Sequence, residues 1–359
     1  MKENMRDLTI RAGSNIYEMI RDGELTFDHV STVVGPAVGP RWFLASGFDL
    51  ALLKAGVLGT RHPVTLAGSS AGALRFAAWV QPESVAAYEH LIDSYIRMTF
   101  TREDTPTSIR KALADVIDSF VEDDALHSAL AHSTFRIAIT TALARHVTSS
   151  ETRLFQASGI LAAGILNIAS SSLLSLFFDP TVFYSGYTPP PFCLKPDFTG
   201  TSIPLNEANF KPALLASSAV PLAVSGVRNI YGAPHGVYRD GGLVDYHGNM
   251  DYAKNNKDVV LLFHHQERQI PAWLDRYTPW RSLPESWTAN LLVVSPTKEF
   301  VERLPEGRIP DRRDFRIFAG DPSTRIKQWR RVVAESSILG EMFLECVTGG
   351  KAGGVVTRI

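Results

Sequence analysis

The stretch that most constrains the fold is Val64-Thr-Leu-Ala-Gly68-Ser-Ser70-Ala-Gly72-Ala-Leu74. An apolar run of strand character passes directly into G-x-S-x-G and then into residues of helix character, so the chain must turn from strand to helix around Ser70. Such a turn needs Gly68 and Gly72, because strand and helix approach too closely there for side chains, and it aims the Ser70 hydroxyl above the end of a sheet. The helix beyond it directs its amino end at the same serine, where partial positive charge favours a developing oxyanion. Ser69 reads as a small residue filling the turn.

The rest of the chain fits an α/β layered fold. Strands are predicted at Trp42–Ala45, Val64–Ala67, Phe135–Thr140, Val259–His264 and Leu291–Ser295. Helices are predicted at Ala71–Val80, Ser84–Met98, Ser108–Ser119 and Ser323–Val347. Residues 1–40, punctuated by Gly35-Pro36 and Gly39-Pro40, read as an N-terminal extension on a main domain of residues 41–359. Between Arg153 and Asp179 there is no charged residue, and the run Gln156–Phe178 is long enough to cross a bilayer. Its serines, its Asn167 and its place between two strands favour a buried helical insertion, spanning about residues 156–190, over a membrane span. An apolar cap touching lipid is the second reading. The loop Gln266–Asn290 carries Trp273, Trp280 and Trp287, expected to pin it to the body.

Composition excludes several functions. The 359 residues carry 36 Lys plus Arg against 37 Asp plus Glu, so no basic surplus exists for binding nucleic acid. Cys193 and Cys346 stand alone, without a disulfide framework or zinc-ligand spacing. The charged N-terminus lacks the apolar core of a signal peptide, which points to a cytoplasmic location with peripheral membrane contact as the alternative. Arginines from Arg303 to Arg331 alternate with acids and read as a salt-bridged surface.

A nucleophilic serine requires a base. Tyr238-Arg-Asp240-Gly241-Gly242-Leu-Val-Asp245 offers an acid followed by two glycines that leave room around its carboxylate. On its own the segment would read as a hairpin turn. His264 and His265 follow a strand, and His235 and His247 flank the Asp240 turn, so a histidine base is the competing assignment.

Gly68-Ser-Ser70-Ala-Gly72, the block Leu214–Leu222 and Asp240-Gly-Gly-Leu-Val-Asp245 follow in the order of patatin-like phospholipases, which residues 42–262 resemble. Phe135–Leu143 looks like the central strand of that family. The resemblance implies a three-layer α/β/α fold with a mostly parallel central sheet. It implies a Ser70–Asp240 dyad that hydrolyses acyl esters of lipids or phospholipids, with neither metal nor organic cofactor. Gly68, Gly72, Gly241 and Gly242 are then motif glycines. The family's glycine-rich oxyanion loop, G-G-G-x-R/K-G, aligns with Ser46-Gly47-Phe48-Asp49-Leu50-Ala51, where only Gly47 remains. Ser46, Gly47 and Phe48, with Ala71, are the expected oxyanion or substrate-binding residues. The degenerate loop leaves two alternatives to hydrolysis: an inactive lipid-binding scaffold, and an acyltransferase using the same dyad.

Overall fold

Short runs rich in Val, Leu and Ile form the centre of the molecule, and a computed structural model describes residues 6–359. Eleven strands join in one sheet: β1 (Leu8–Ala12), β2 (Val30–Gly35), β3 (Val64–Ser69), β4 (Phe135–Ala144), β5 (Phe178–Tyr184), β6 (Thr201–Pro204), β7 (Val227–Arg228), β8 (Val237–Arg239), β9 (Val259–Phe263), β10 (Leu291–Pro296) and β11 (Val356–Arg358). The order is β11-β1-β10-β9-β2-β3-β4-β5-β6, with β8 paired to β4 and β7. The five strands from β10 to β4 run parallel, and β1 and β5 flank them antiparallel.

The parallel strands are covered on both faces, which is why β9 and β10 are apolar without alternation. Alternate residues still divide between two cores. Val33, Leu66, Leu261 and Leu292 face a large core covered by the helices Ser46–Ala55, Ala71–Trp79, Ser84–Arg97 and Pro322–Thr348. Val34, Ala67, Leu262 and Val293 face a smaller one closed by Phe192, Met250 and Tyr252. The fold is therefore α/β, a mostly parallel central sheet flanked by helices.

Under the first core lies a buried ion pair. Arg75, on the Ala71–Trp79 helix, grips Asp49 through two bonds of 2.6 and 2.7 Å, and the Tyr88 hydroxyl donates to the same carboxylate. Three neighbouring helices are thereby fixed in register behind Ser70.

Two expectations are corrected. Trp42–Ala45 is not a strand: it belongs to a 3-10 helix, Gly39–Ala45, whose Trp42, Phe43 and Leu44 fill the core. Residues 6–40 are not an extension, since β1 and β2 lie inside the sheet and β2 sits centrally between β9 and β3; residues 1–5 fall outside the described residues. The polar pair Ser31-Thr32 interrupts the apolar run of β2 and obscures it, although Thr32 is buried and its hydroxyl is directed at the Tyr252 carbonyl. The apolar segment after β4 forms the helix Arg153–Ala169 and a 3-10 helix, Ser171–Leu176, before returning into β5. Among the described residues no helix is long and apolar enough to cross a membrane.

Candidate active site

At the carboxyl ends of the parallel strands, β2 and β3 are in register with Gly35 opposite Gly68. The Ala71–Trp79 helix descends onto this pair so closely that a Cβ at Gly72 would lie 1.9 Å from the Gly35 carbonyl oxygen. A Cβ at Gly68 would meet Ala73 N at 2.7 Å. Between strand and helix, Ser70 takes φ 53° and ψ −119°, a conformation unfavourable for a residue with a side chain. Its backbone N–H donates to Ser217 Oγ at 2.7 Å, and Ser217 donates in turn to the Thr140 carbonyl at 2.7 Å. The strained turn is thus held from below by the helix Phe210–Ser217 and by β4.

Asp240 arrives at the end of β8. Its backbone N–H bonds the Ala219 carbonyl at 3.0 Å, and the next two glycines bring the chain tightly over β4 and the loop after β2. A Cβ at Gly241 would sit 2.1 Å from the Thr140 carbonyl oxygen; one at Gly242 would sit 2.7 Å from Ala37 Cβ. This close approach is the reason for both glycines. Ser70 Oγ donates to Asp240 Oδ2 at 2.8 Å, and Gly242 N–H donates to Oδ1 at 2.8 Å. Burial raises the Asp240 carboxyl above the ordinary carboxylate range, opposed in part by the Arg312 charge and by these hydrogen bonds. Asp245 is a different kind of acid. It receives Ser69 Oγ, Tyr252 Oη and the N–H groups of Gly248 and Asn249, which leaves it a buried anchor for the turn.

Two cavities meet here. One, of about 220 Å³, is lined by Ser70 and Ala71 and walled by Leu74, Met98, Phe100 and Leu113. The other, of about 370 Å³, reaches Asp240 and is lined by Arg41, Trp273, Arg276 and Arg312. Val220 and Arg312 line both. The first is apolar and suits a hydrocarbon chain; the second is bordered by arginines.

Ser46, Gly47 and Phe48 do not reach this place, and their expected oxyanion role is corrected. They open the helix Ser46–Ala55, with Gly47 N–H donated to Ser336 Oγ at 3.0 Å and Phe48 packed between Phe263 and Phe343. Close contact with the long C-terminal helix requires glycine at position 47: a Cβ there would fall 2.2 Å from the Ser336 carbonyl oxygen. The loop that does border Ser70 follows β2, Gly35-Pro-Ala-Val-Gly39-Pro-Arg41, and Gly39 lines the apolar cavity beside Ser70 and Ala71. Gly39 has φ 55°, and the Arg312 side chain lies against it. The Gly35-Pro36 and Gly39-Pro40 pairs of this loop stand in the sequence, but the polar Ser31-Thr32 in the strand before them gives it the look of a connecting segment.

The histidines are elsewhere. His247, His264 and His265 form a cluster with ring centroids 4.3 to 5.6 Å apart, His235 is exposed, and the hydrogen bonds to the Asp240 side chain come from Ser70 and Gly242. The late arginines are mostly paired, as in Arg308–Asp314 and Arg330–Asp93, but Arg312 turns toward the site. Sequence offered no signal for Arg312, which stands among equivalent neighbours.

No family model matches the chain, and neither does any curated protein sequence. Among solved structures, human GIVD cytosolic phospholipase A2 is similar with a TM-score of 0.33 and 12% sequence identity over 95% of this chain. This chain spans 64% of that one.

Proposed function

We propose that the protein is a serine acyl hydrolase of patatin-like type, cleaving carboxylic esters of lipids through a Ser70–Asp240 dyad. The observation that carries this reading is the 2.8 Å hydrogen bond from Ser70 Oγ to Asp240 Oδ2, made by a serine held in a strained strand-to-helix turn at an apolar cavity. Ser70 Oγ attacks the ester carbonyl carbon while Asp240 accepts its proton. Burial raises the basicity of that carboxylate, which brings it closer to the needs of general-base catalysis than an exposed aspartate would be.

The oxyanion is assigned to the Ala71 N–H, at the positive end of the following helix, and to the Gly39 N–H of the loop after β2. That loop takes the place of the family's glycine-rich segment. The acyl chain occupies the apolar cavity, and the alcohol leaves through the arginine-bordered one after Asp240 returns its proton. Water, deprotonated by Asp240, then releases the acid from Ser70.

The test is labelling with a serine-reactive fluorophosphonate together with hydrolysis of a short-chain p-nitrophenyl ester. Label is expected at Ser70, and Ser70→Ala is expected to lose both label and at least ~10³-fold in turnover. Hydrolysis that survives Ser70→Ala unchanged would refute the assignment. A folded wild type that neither takes the label nor turns over esters would indicate a binding protein instead.

A further inference from the structure

The helix Arg153–Ala169 is built inside out. Its inward stripe is Gln156, Gly159, Ala163 and Asn167, small or polar and all buried. Its outward stripe is Leu154, Leu161, Ile165 and Ile168, exposed by 75, 66, 59 and 51%. These positions follow i, i+7, i+11 and i+14, one line along a helix. Water therefore meets the side that an ordinary surface helix would bury.

The inward stripe is anchored, so the orientation is fixed. Gln156 accepts the Leu222 N–H at 2.5 Å and donates to the Ser150 carbonyl at 2.9 Å. Asn167 donates to Asp275 at 2.7 Å, and Arg281 donates to the Asn167 carbonyl at 2.7 Å. These polar bonds hold the inward stripe to the body of the protein and leave the apolar stripe outward.

We propose that this outer face is a docking surface for an anionic lipid bilayer, with the helix lying in the plane of the membrane. Charge selects the occupant. No charged residue lies between Arg153 and Asp179; Asp179 is held by Arg145, and Asp275 is buried against Arg281. Among the described residues, Arg153 and Arg276 have no carboxylate partner and are exposed, which leaves positive charge at both ends of the apolar stripe. The segment tied to the carboxyl end of the helix exposes Tyr277 and Trp280 by 63 and 69%, amphipathic rings suited to the headgroup layer. A second copy of the chain offers no such complement, because a two-fold contact between these faces brings like charges together.

Position favours the same occupant. Leu222, bonded to Gln156, follows Val220 and Pro221, which line the cavity reaching Asp240. A bilayer under the helix therefore lies beside the mouth of the site. Seating is independent of whether Ser70 performs hydrolysis.

The experiment is flotation of the full-length chain with extruded vesicles of phosphatidylcholine alone or with one-fifth phosphatidylserine. Wild type is expected to float with the anionic vesicles, and the double variant Leu161→Ser/Ile165→Ser to lose at least ~10-fold in partitioning, as removal of two buried apolar side chains implies. Arg153→Glu/Arg276→Glu is expected to weaken binding to anionic vesicles far more than to neutral ones. Brominated lipid should quench Trp280, read as the difference from Trp280→Phe. Unchanged thermal unfolding of the serine variant establishes that it is folded. Wild type left in solution with both vesicles, or a serine variant that floats equally well, overturns the proposal. A concentration-dependent dimer in ultracentrifugation, lost in the serine variant and accompanied by no flotation, assigns the face to a second copy instead.

Discussion

The Ser217 hydroxyl accepts a hydrogen bond from the Ser70 backbone N–H at 2.7 Å and donates one to the Thr140 carbonyl, tying the strained turn to the sheet beneath it. Ser217 lines neither of the two cavities at the site, so its effect on chemistry runs through the placement of Ser70. Ser217→Ala leaves a buried N–H without a partner and is expected to destabilise the fold by about 1–3 kcal/mol. A shift of the Ser70 hydroxyl of the order of an ångström is expected to cost about 10²-fold in kcat. Denaturant unfolding and ester hydrolysis check the two together; a loss of stability with fluorophosphonate labelling as fast as wild type would show that the turn holds without this bond.

Asp240 couples activity to a cost in stability. Its carboxyl is raised above the ordinary range by burial, so the unfolded chain gives up this proton at a lower pH than the folded one. As pH rises from the ordinary carboxylate range through the folded value, the native state loses stability on account of this group. Asp240→Asn removes that loss while keeping an acceptor for Gly242 N–H, and is expected to be more stable than wild type at neutral pH but nearly inactive. Hydrolysis by wild type should fall on the acid side as Asp240 protonates, with a midpoint above that of an exposed aspartate. Equal stability of the two proteins at neutral pH would contradict the desolvation argument.

The proposed nucleophile and its acid were legible because steric demands expose them. A turn that brings Gly72 within 1.9 Å of Gly35 through a virtual Cβ, or Gly241 within 2.1 Å of Thr140, writes glycines into the sequence at fixed distances from the residue it positions. The helices Ala71–Trp79, Ser84–Arg97, Pro106–Asp118 and Pro322–Thr348 and the strands β3, β4, β9 and β10 were legible from periodicity. The loop beside Ser70 was not, because buried Thr32 and its neighbour Ser31 give β2 the look of a connecting segment, while Trp42–Leu44 imitate a strand. Arg312 was illegible for another reason: it comes to the site by tertiary folding from a run of arginines that differ only in what surrounds them.

The buried Asp49–Arg75 pair offers a separate test of what holds the Ser70 turn. Both side chains are essentially inaccessible, at 0 and 1%, and Tyr88 completes the shell of the carboxylate. Arg75→Leu leaves Asp49 charged and unpaired and is expected to cost about 3–5 kcal/mol, whereas Asp49→Leu/Arg75→Leu should recover most of that loss. Chemical denaturation of the two variants decides it. If the double variant is no more stable than the single one, packing rather than charge holds the three helices.

The cluster of His247, His264 and His265 predicts acid sensitivity. Burial lowers all three, His264 to about 4 from an ordinary 6.5, and their mutual proximity and the Arg41 charge act in the same direction on His247 and His265. Nε2 of His247, Nε2 of His264 and Nδ1 of His265 have no hydrogen-bond partner, so a proton gained there would find no acceptor. In the unfolded chain these rings protonate near 6.5, while in the folded protein they stay neutral until well below it. Between pH 6.5 and about 4 the unfolded state therefore binds more protons, and stability falls as pH falls. Asp240 and Asp245, raised by burial, pull the opposite way in the acid part of this range, so the contribution of the cluster is read from a variant. His264→Phe keeps a ring of similar size and is expected to flatten the decline between neutral pH and pH 5 by up to about one proton's worth of slope, ~1.4 kcal/mol per pH unit. Unfolding free energies from denaturant titrations across that interval measure it, and an identical slope in the variant would show that His264 is not held neutral in the native state.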